Sequence, residues 1–283
     1  MLSLSDIVNV KVGIGRGVFE APGATVIGGK KPSFNLEILK LFANGEQGFW
    51  YDPSDMGTMF QDAAGTVPVT GVGQAVGLIR DKSGRNNHAF QTNAASRPLL
   101  QRNATTGAYY LAFDGSDDFL VTSSIDFTAT DKVSLFAGVR KLSDASRAVL
   151  LELGSTRLNT FRIEAPTVST ASYAFNAGAT TVTGQIRSGF AAPISNVLTM
   201  RNSISTSNLA IRIDGVEGSP VTVNQGGGNF GNSPLYVGRR DGTTLPFSGH
   251  IYNLIGIGRL TTESETAAIE KELAKRIGVT LSV

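Results

Sequence analysis

Short runs in which apolar and polar residues alternate, each closed off by a cluster of Gly, Asn, Asp, Ser or Pro, constrain this chain more than any other feature. In YYLAF the alternation groups Tyr109, Leu111 and Phe113. KVSLFAGV groups Val133, Leu135, Ala137 and Val139, and RAVLLEL groups Val149, Leu151 and Leu153. LAIRID groups Leu209, Ile211 and Ile213 and turns Arg212 and Asp214 outward. Side chains of a strand point to alternate faces, so each run has one face for a core. HIYNLIGIG is apolar at both parities, as a strand covered on both sides requires. Between the runs lie DGVEGSP and NQGGGNFGNSP, which supply turn chemistry. Many short strands so punctuated predict an all-β sandwich or barrel. The glycines are irregularly spaced, which argues against a solenoid repeat.

Composition removes several classes of function. With 283 residues, 41% of them hydrophobic, the chain can bury a sizeable core and is too apolar for a disordered segment. It has no cysteine, so disulfides and thiolate metal sites are excluded. Two histidines, His88 and His250, leave little room for a zinc site. Neither has a G-x-S-x-G nucleophile motif nearby. The net charge of +2 is spread thinly, with Lys30-Lys31 and Arg239-Arg240 the only homotypic basic pairs, so no nucleic-acid partner is expected. No apolar run approaches the roughly 18 residues of a spanning helix, and no membrane partner is expected. MLSLSDIVNVKVG lacks the basic start and apolar stretch of a secretory signal, which predicts synthesis in the cytoplasm of the producing cell.

Two parts of the chain differ from the strand-rich body. Residues 1–45 carry many glycines and little periodicity. VNVKVGI reads as one strand with Val8, Val10 and Val12 on a face, and FNLEILKLF as a short strand or a helical turn. The region reads as an arm or attachment segment, or as the first strand of the main domain. At the other end, Thr262 and Glu265 form a capping box ahead of Ile269, Leu273 and Ile277 at i, i+4, i+8. Glu272 and Arg276 have i,i+4 spacing, and Gly278 stands where a left-handed residue ends a helix. The spacing predicts a helix over 263–277, docked by its Ile/Leu stripe on the outside of the sandwich.

The most conspicuous chemical candidate is FDGSDDFL at 113–120, where Asp114, Asp117 and Asp118 crowd around Gly115. Asp and Ser cap backbone amides in tight turns and Gly accepts positive φ, so a turn accounts for every residue. Calcium is the rival reading, with Asp81 or Asn229 as further ligands, but it needs about six or seven oxygens and this loop offers no full set. No metal site is assigned, and calcium is the one cofactor left open. Asp81, Ser83, Gly84 and Asn86 in DKSGRNNH are turn chemistry too, and His88 and His250 read as packed or hydrogen-bonded residues. A jelly-roll glucanase needs two carboxylates about 5 Å apart on one strand face. That pattern is missing, and Glu263 and Glu265 complement the dipole of the expected helix instead. No catalytic residue is assigned and the chain is not expected to be an enzyme.

Binding without catalysis needs polar groups and an aromatic platform. Trp50 and Tyr51 are candidates, with Trp50 read either as buried where the arm meets the sandwich or as a sugar platform. The glycine-rich loop offers Asn229, Phe230 and Asn232, against a plain connection between strands. These five are the candidate ligand-binding residues.

DKSGRNNHAFQ (81–91), FDGSDDFL (113–120), LAIRIDGVE (209–217) and FSGHIYNLIGIG (247–258) occur in the order found in laminin-G-like, concanavalin A-like jelly rolls. WYDPSDMGTMFQDAAGTVPVT and the Gly-rich stretch from residue 224 onward resemble the versions in bacteriophage and prophage structural proteins. The resemblance covers roughly residues 46–283. It implies an all-β concanavalin A-like jelly-roll sandwich with a C-terminal α-helix; residues 1–45 match that module poorly and read as an N-terminal arm. It further implies a virion protein of a tail fibre, baseplate or capsid decoration, made in the host cytoplasm. Its partners would be other virion proteins, further copies of itself and, secondarily, a host-surface glycan.

Overall fold

The computed structural model describes residues 34–282. The strand expected over residues 8–12 lies outside the described residues. In chain order the elements are α1 (Phe34–Lys40), β1 (Gly48–Tyr51), β2 (Met59–Phe60), β3 (Leu78–Ile79), β4 (Ala89–Phe90), β5 (Leu99–Arg102), β6 (Tyr109–Asp114), β7 (Leu120–Asp126), β8 (Lys132–Lys141) and β9 (Val149–Leu153). They continue with β10 (Thr160–Glu164), β11 (Ser172–Gly178), β12 (Val182–Ser188), β13 (Ile194–Ser203), β14 (Asn208–Ile213), β15 (Val216–Glu217), β16 (Asn232–Val237), β17 (Ser248–Ile257) and α2 (Glu263–Ile277). An eight-stranded sheet runs β15-β14-β13-β8-β17-β6-β5, with β1 also on β17. A nine-stranded sheet runs β12-β11-β10-β9-β16-β7-β4-β3-β2. All pairings are antiparallel, and the two sheets close on each other as a sandwich, as the alternating runs predict.

Alternation decides which residues fill the space between the sheets. Val133, Leu135, Ala137 and Val139 from β8 and Leu209, Ile211 and Ile213 from β14 meet Phe161, Ile163, Phe175 and Leu235 of the other sheet in one continuous core. Register shifts adjust the pattern in two strands. Between β9 and β10 the shift at Ile163/Glu164 lets Leu150 as well as Leu151 enter the core, so strict period two over 149–153 fails there. In β17 a shift between Ile251 and Asn253 returns Leu254 to the inner side with Ile251, while Tyr252 and Ile255 face the outer side.

A second core lies on the outer face of the eight-stranded sheet. Ile269, Leu273 and Ile277 of α2 pack on Trp50, Phe136, Val197, Tyr252 and Ile255. Burying such side chains stabilises by about 1.5–3 kcal/mol each, which is what holds the helix down. β17 is therefore covered on both faces, as its doubly apolar sequence requires. Helix α2 starts where its capping box places it. Thr262 Oγ1 accepts from the Glu265 amide at 3.2 Å and Glu265 Oε2 from the Thr262 amide at 2.8 Å. It ends at Gly278, whose φ of 75° closes the last turn. FNLEILKLF resolves into α1, whose Ile38, together with Leu41 and Phe42 just beyond the helix, joins the same outer core.

Several charged side chains are buried against opposite charges. Under α2, Glu270 is wholly buried, accepts from Thr199 Oγ1 at 2.8 Å and faces Arg212 Nε at 3.1 Å. On the outer side of the nine-stranded sheet, Arg147, Glu164, Arg162, Glu152 and Arg240 form an alternating ladder. Arg162 reaches Glu164 at 2.7 Å and Glu152 at 2.9 Å, Arg240 lies 3.5 Å from Glu152, and Arg147 pairs with Glu164. Burial pushes the Glu152 carboxyl up, against the pull of Arg162 and Arg240.

Candidate functional site

The five candidate ligand-binding residues separate in space. Trp50 is wholly buried, with the Phe34 ring edge-on at 6.2 Å and the Lys82 ammonium 4.5 Å above its ring. Tyr51 stacks on Phe49 at 5.5 Å, donates its hydroxyl to the Asn87 carbonyl, and is buried. Burial, with Asp81 nearby, pushes that hydroxyl well above its ordinary range. Phe230 is buried edge-on against Phe161. Asn229 and Asn232 are exposed, and Asn232 opens β16 opposite Asp126. The aromatic members are thus parts of the two cores, and the polar members face solvent.

Asn229 borders a cleft of about 710 Å³ built from three separate segments. The chain over 222–229 gives one wall, the turn between β13 and β14 another with Ser205 and Ser207, and Asp131 at the entry to β8 gives the third. Each wall is fixed. Asn229 donates its side-chain amide to the Thr128 carbonyl at 2.6 Å, and its own carbonyl accepts from Asn159 Nδ2 at 2.7 Å. Asn224 Oδ1 caps the Gly226 amide at 2.8 Å. Gly226 has φ 78° and a Cβ there would meet Thr180 Oγ1 at 1.9 Å, so the loop needs glycine at that point. Burial alone would raise the Asp131 carboxyl, but hydrogen bonds from Lys132 and Ser205 hold it at about 2. The cleft therefore offers hydroxyls, carboxamides and one carboxylate that is ionised at neutral pH to a polar ligand. The Gly/Asn composition pointed to Asn229. Asp131 and Ser205 are more than 20 residues away and carry no local signal of their role.

The acidic turn is also assembled from its own residues. Asp114 Oδ1 accepts from the Ser116 amide at 2.8 Å and the Asp117 amide at 3.3 Å. Asp118 Oδ2 accepts from the Asp114 amide at 3.0 Å, and Asp117 Oδ2 from Ser96 Oγ at 2.6 Å. Gly115 supplies φ 80°. The three carboxylates can bring oxygens within 4.8 Å of one another, a spacing compatible with calcium. Burial pushes Asp118 up to about 6, and the charges of Asp114 and Asp117 add to it. Asp81 is not a member of this group. Asp81 instead accepts from the Trp50, Ser83 and Asn87 amides and from Ser83 Oγ.

Both histidines are engaged. His88 Nδ1 accepts from the Asp81 amide at 3.0 Å. The His250 ring stacks on Tyr110 with centroids 4.1 Å apart, and burial, reinforced by Arg140, pushes it down to about 4. Among the described residues no helix is long and apolar enough to cross a membrane.

No protein-family model and no curated protein matches this chain. Solved structures do share the fold. The ligand-binding domain of botulinum neurotoxin serotype D, solved with N-acetylneuraminic acid, superposes with a TM-score of 0.54 at 9% identity, over 71% of this chain and 48% of that one. The receptor-binding domain of the mosaic serotype C/D neurotoxin gives 0.55 at 8% identity, over 81% and 51%. The neurotoxin DC binding domain solved with rat synaptotagmin II gives 0.51 at 12% identity, over 69% and 49%. The chain spans about half the length of the solved chains it matches. At these identities the likeness establishes a β-sandwich of the kind found in receptor-binding domains.

Proposed function

We propose that this chain is a non-enzymatic binding module of a bacteriophage virion, with the loop cleft beside Asn229 taking a host-surface saccharide. The observation that carries the binding part is the cleft itself, a fixed concave surface of hydroxyl and amide groups contributed by three segments. Solved neighbours with the same fold include one bound to N-acetylneuraminic acid, which supports a saccharide as the ligand class. The non-catalytic reading is supported by the acidic turn, whose carboxylates cap backbone amides or take the Ser96 hydroxyl. The virion assignment, as a tail-fibre, baseplate or decoration component, rests on the ordered motifs from residue 50 to 258. On this reading the attachment segment expected over residues 1–45 is confined to the chain ahead of residue 34, because Ile38, Leu41 and Phe42 belong to the outer core; it attaches the chain to other virion proteins, several copies assemble together, and the sandwich faces outward.

Immunogold electron microscopy of purified particles tests the location, and absence of label from particles refutes it. Titration of host-surface polysaccharides tests the binding. Replacing Asn229 by Ala removes a group that fixes the cleft wall and is expected to weaken binding about tenfold. Equal affinity in that variant, or no binding to the intact protein at about millimolar concentration, refutes the cleft as the site.

A further inference from the structure

A second concave surface lies on the outer face of the nine-stranded sheet, at its β2-β3-β4-β7 end. It encloses about 700 Å³ and is separate in sequence from the loop cleft. The sheet register explains its chemistry. Ile79 pairs with Ala89, and Ala89 with Thr122, all facing the core. One step along each strand, Arg80, His88 and Ser123 therefore stand side by side on the outer face. One step the other way, Leu78, Phe90 and Val121 form a parallel apolar strip. A row of donors thus runs beside a row of hydrocarbon.

Every member of the donor row is available. Arg80 is exposed and makes no ion pair among the described residues, and its guanidinium lies 4.5 Å over the Phe60 ring, which fixes it in place. His88 Nδ1 accepts a backbone amide, so the proton sits on Nε2, the nitrogen free to donate. Ser123 is exposed. The nearest carboxylate lining the surface, Asp81, is saturated by four donors of its own loop. What remains is a donor-rich, cationic edge next to a half-buried aromatic ring.

We propose that this surface binds a carboxylate-bearing pyranose, with the carboxylate on Arg80 and His88 and a C–H face of the ring against Phe90. The fit is complementary in both respects. A guanidinium takes a carboxylate with two parallel hydrogen bonds, and a sugar ring presents an apolar face to hydrocarbon beside its polar edge. The inference rests on the reading of the module as a saccharide binder and adds a second site with its own ligand class. Sialic acids and uronic acids share the required chemistry.

The test is isothermal titration of the full chain with sialyllactose, a glucuronate-containing tetrasaccharide and neutral lactose. Both acidic probes, or one of them, are expected to bind at this surface, and which one identifies the source. Arg80→Ala is expected to weaken the acidic probe about tenfold and to leave circular dichroism unchanged, because Arg80 is an exposed side chain. Arg80→Lys is expected to recover part of the loss, and added salt to weaken the wild-type protein more than Arg80→Ala. Acidic-probe affinity untouched by Arg80→Ala but lost in Asn229→Ala places the ligand in the loop cleft and overturns this proposal alone. So does lactose binding as tightly as the acidic probes, or a glutamate peptide competing equally. Failure of every saccharide to bind the intact chain overturns both readings.

Discussion

Replacing Asp118 by Asn separates a turn from a metal site. The Asp118 carboxyl is buried, and its folded value of about 6 stands above its ordinary 3.8 because burial and the neighbouring Asp114 and Asp117 oppose its ionisation. Between those two values the folded chain holds a proton that the unfolded chain has released. Whatever stability the neutral carboxyl contributes is present in full below 3.8 and is lost as pH rises through about 6. The full shift corresponds to about 3 kcal/mol, and water at the exposed Asp114 edge reduces this to about 1–2 kcal/mol. An Asn at this position keeps an oxygen for the Asp114 amide, now 3.0 Å away, and cannot ionise. Urea unfolding in a chelator should find the Asp118→Asn variant more stable than wild type by about 1–2 kcal/mol near pH 7.5, and the two within a few tenths near pH 4. With calcium in place of chelator, a turn that holds the ion would reverse the order at neutral pH, because the wild type would gain binding energy that the variant cannot. A wild type as stable as the variant at neutral pH in chelator would show that burial and the neighbouring carboxylates do not oppose ionisation of Asp118.

Two more perturbations probe the frame that carries the clefts. Leu273→Ala opens a cavity between α2 and the eight-stranded sheet at a wholly buried position and should cost about 2–5 kcal/mol, read as a drop in Tm; a loss under about 1 kcal/mol would mean that α2 does not contribute to the cooperative unit. Glu152→Ala leaves Arg240 without its carboxylate and Arg162 with Glu164 alone, and should cost about 3–5 kcal/mol by urea unfolding; an unchanged midpoint would mean the ladder is hydrated and energetically idle.

Local chemistry was legible in the sequence wherever a few neighbouring residues suffice to specify it. Thr262, Glu265 and Gly278 define the ends of α2 on their own, and its stripe of Ile269, Leu273 and Ile277 states which side is buried. The turn at Asp114–Asp118 is equally local, since its hydrogen bonds close within a few residues apart from the one from Ser96. Strand parity was readable for β8 and β14, but not for β9, where a shift of register depends on the partner strand. The charged ladder was invisible for the same reason. Glu152, Arg162 and Glu164 look like outward polar positions, and only their pairing across β9 and β10 shows that they neutralise one another. The binding surfaces were half visible. Asn229 announces itself through its glycines, whereas Asp131, Ser205, Arg80 and Ser123 acquire meaning only when distant segments meet.

The rims of the two sheets set a limit on how copies of this chain can join. Among the described residues the eight-stranded sheet ends on the two-residue β15 and the four-residue β5, and the nine-stranded sheet ends on the two-residue β2. Such brief rims give an incoming strand almost nothing to zip onto. The remaining rims are the four-residue β1, which pairs only with β17, and, longest of all, the seven-residue β12, with Ile186 59% exposed. Growth of one continuous sheet from copy to copy has that single rail to follow, so it would yield pairs joined β12 to β12 and stop there, since no comparable rail is left over to extend a fibre.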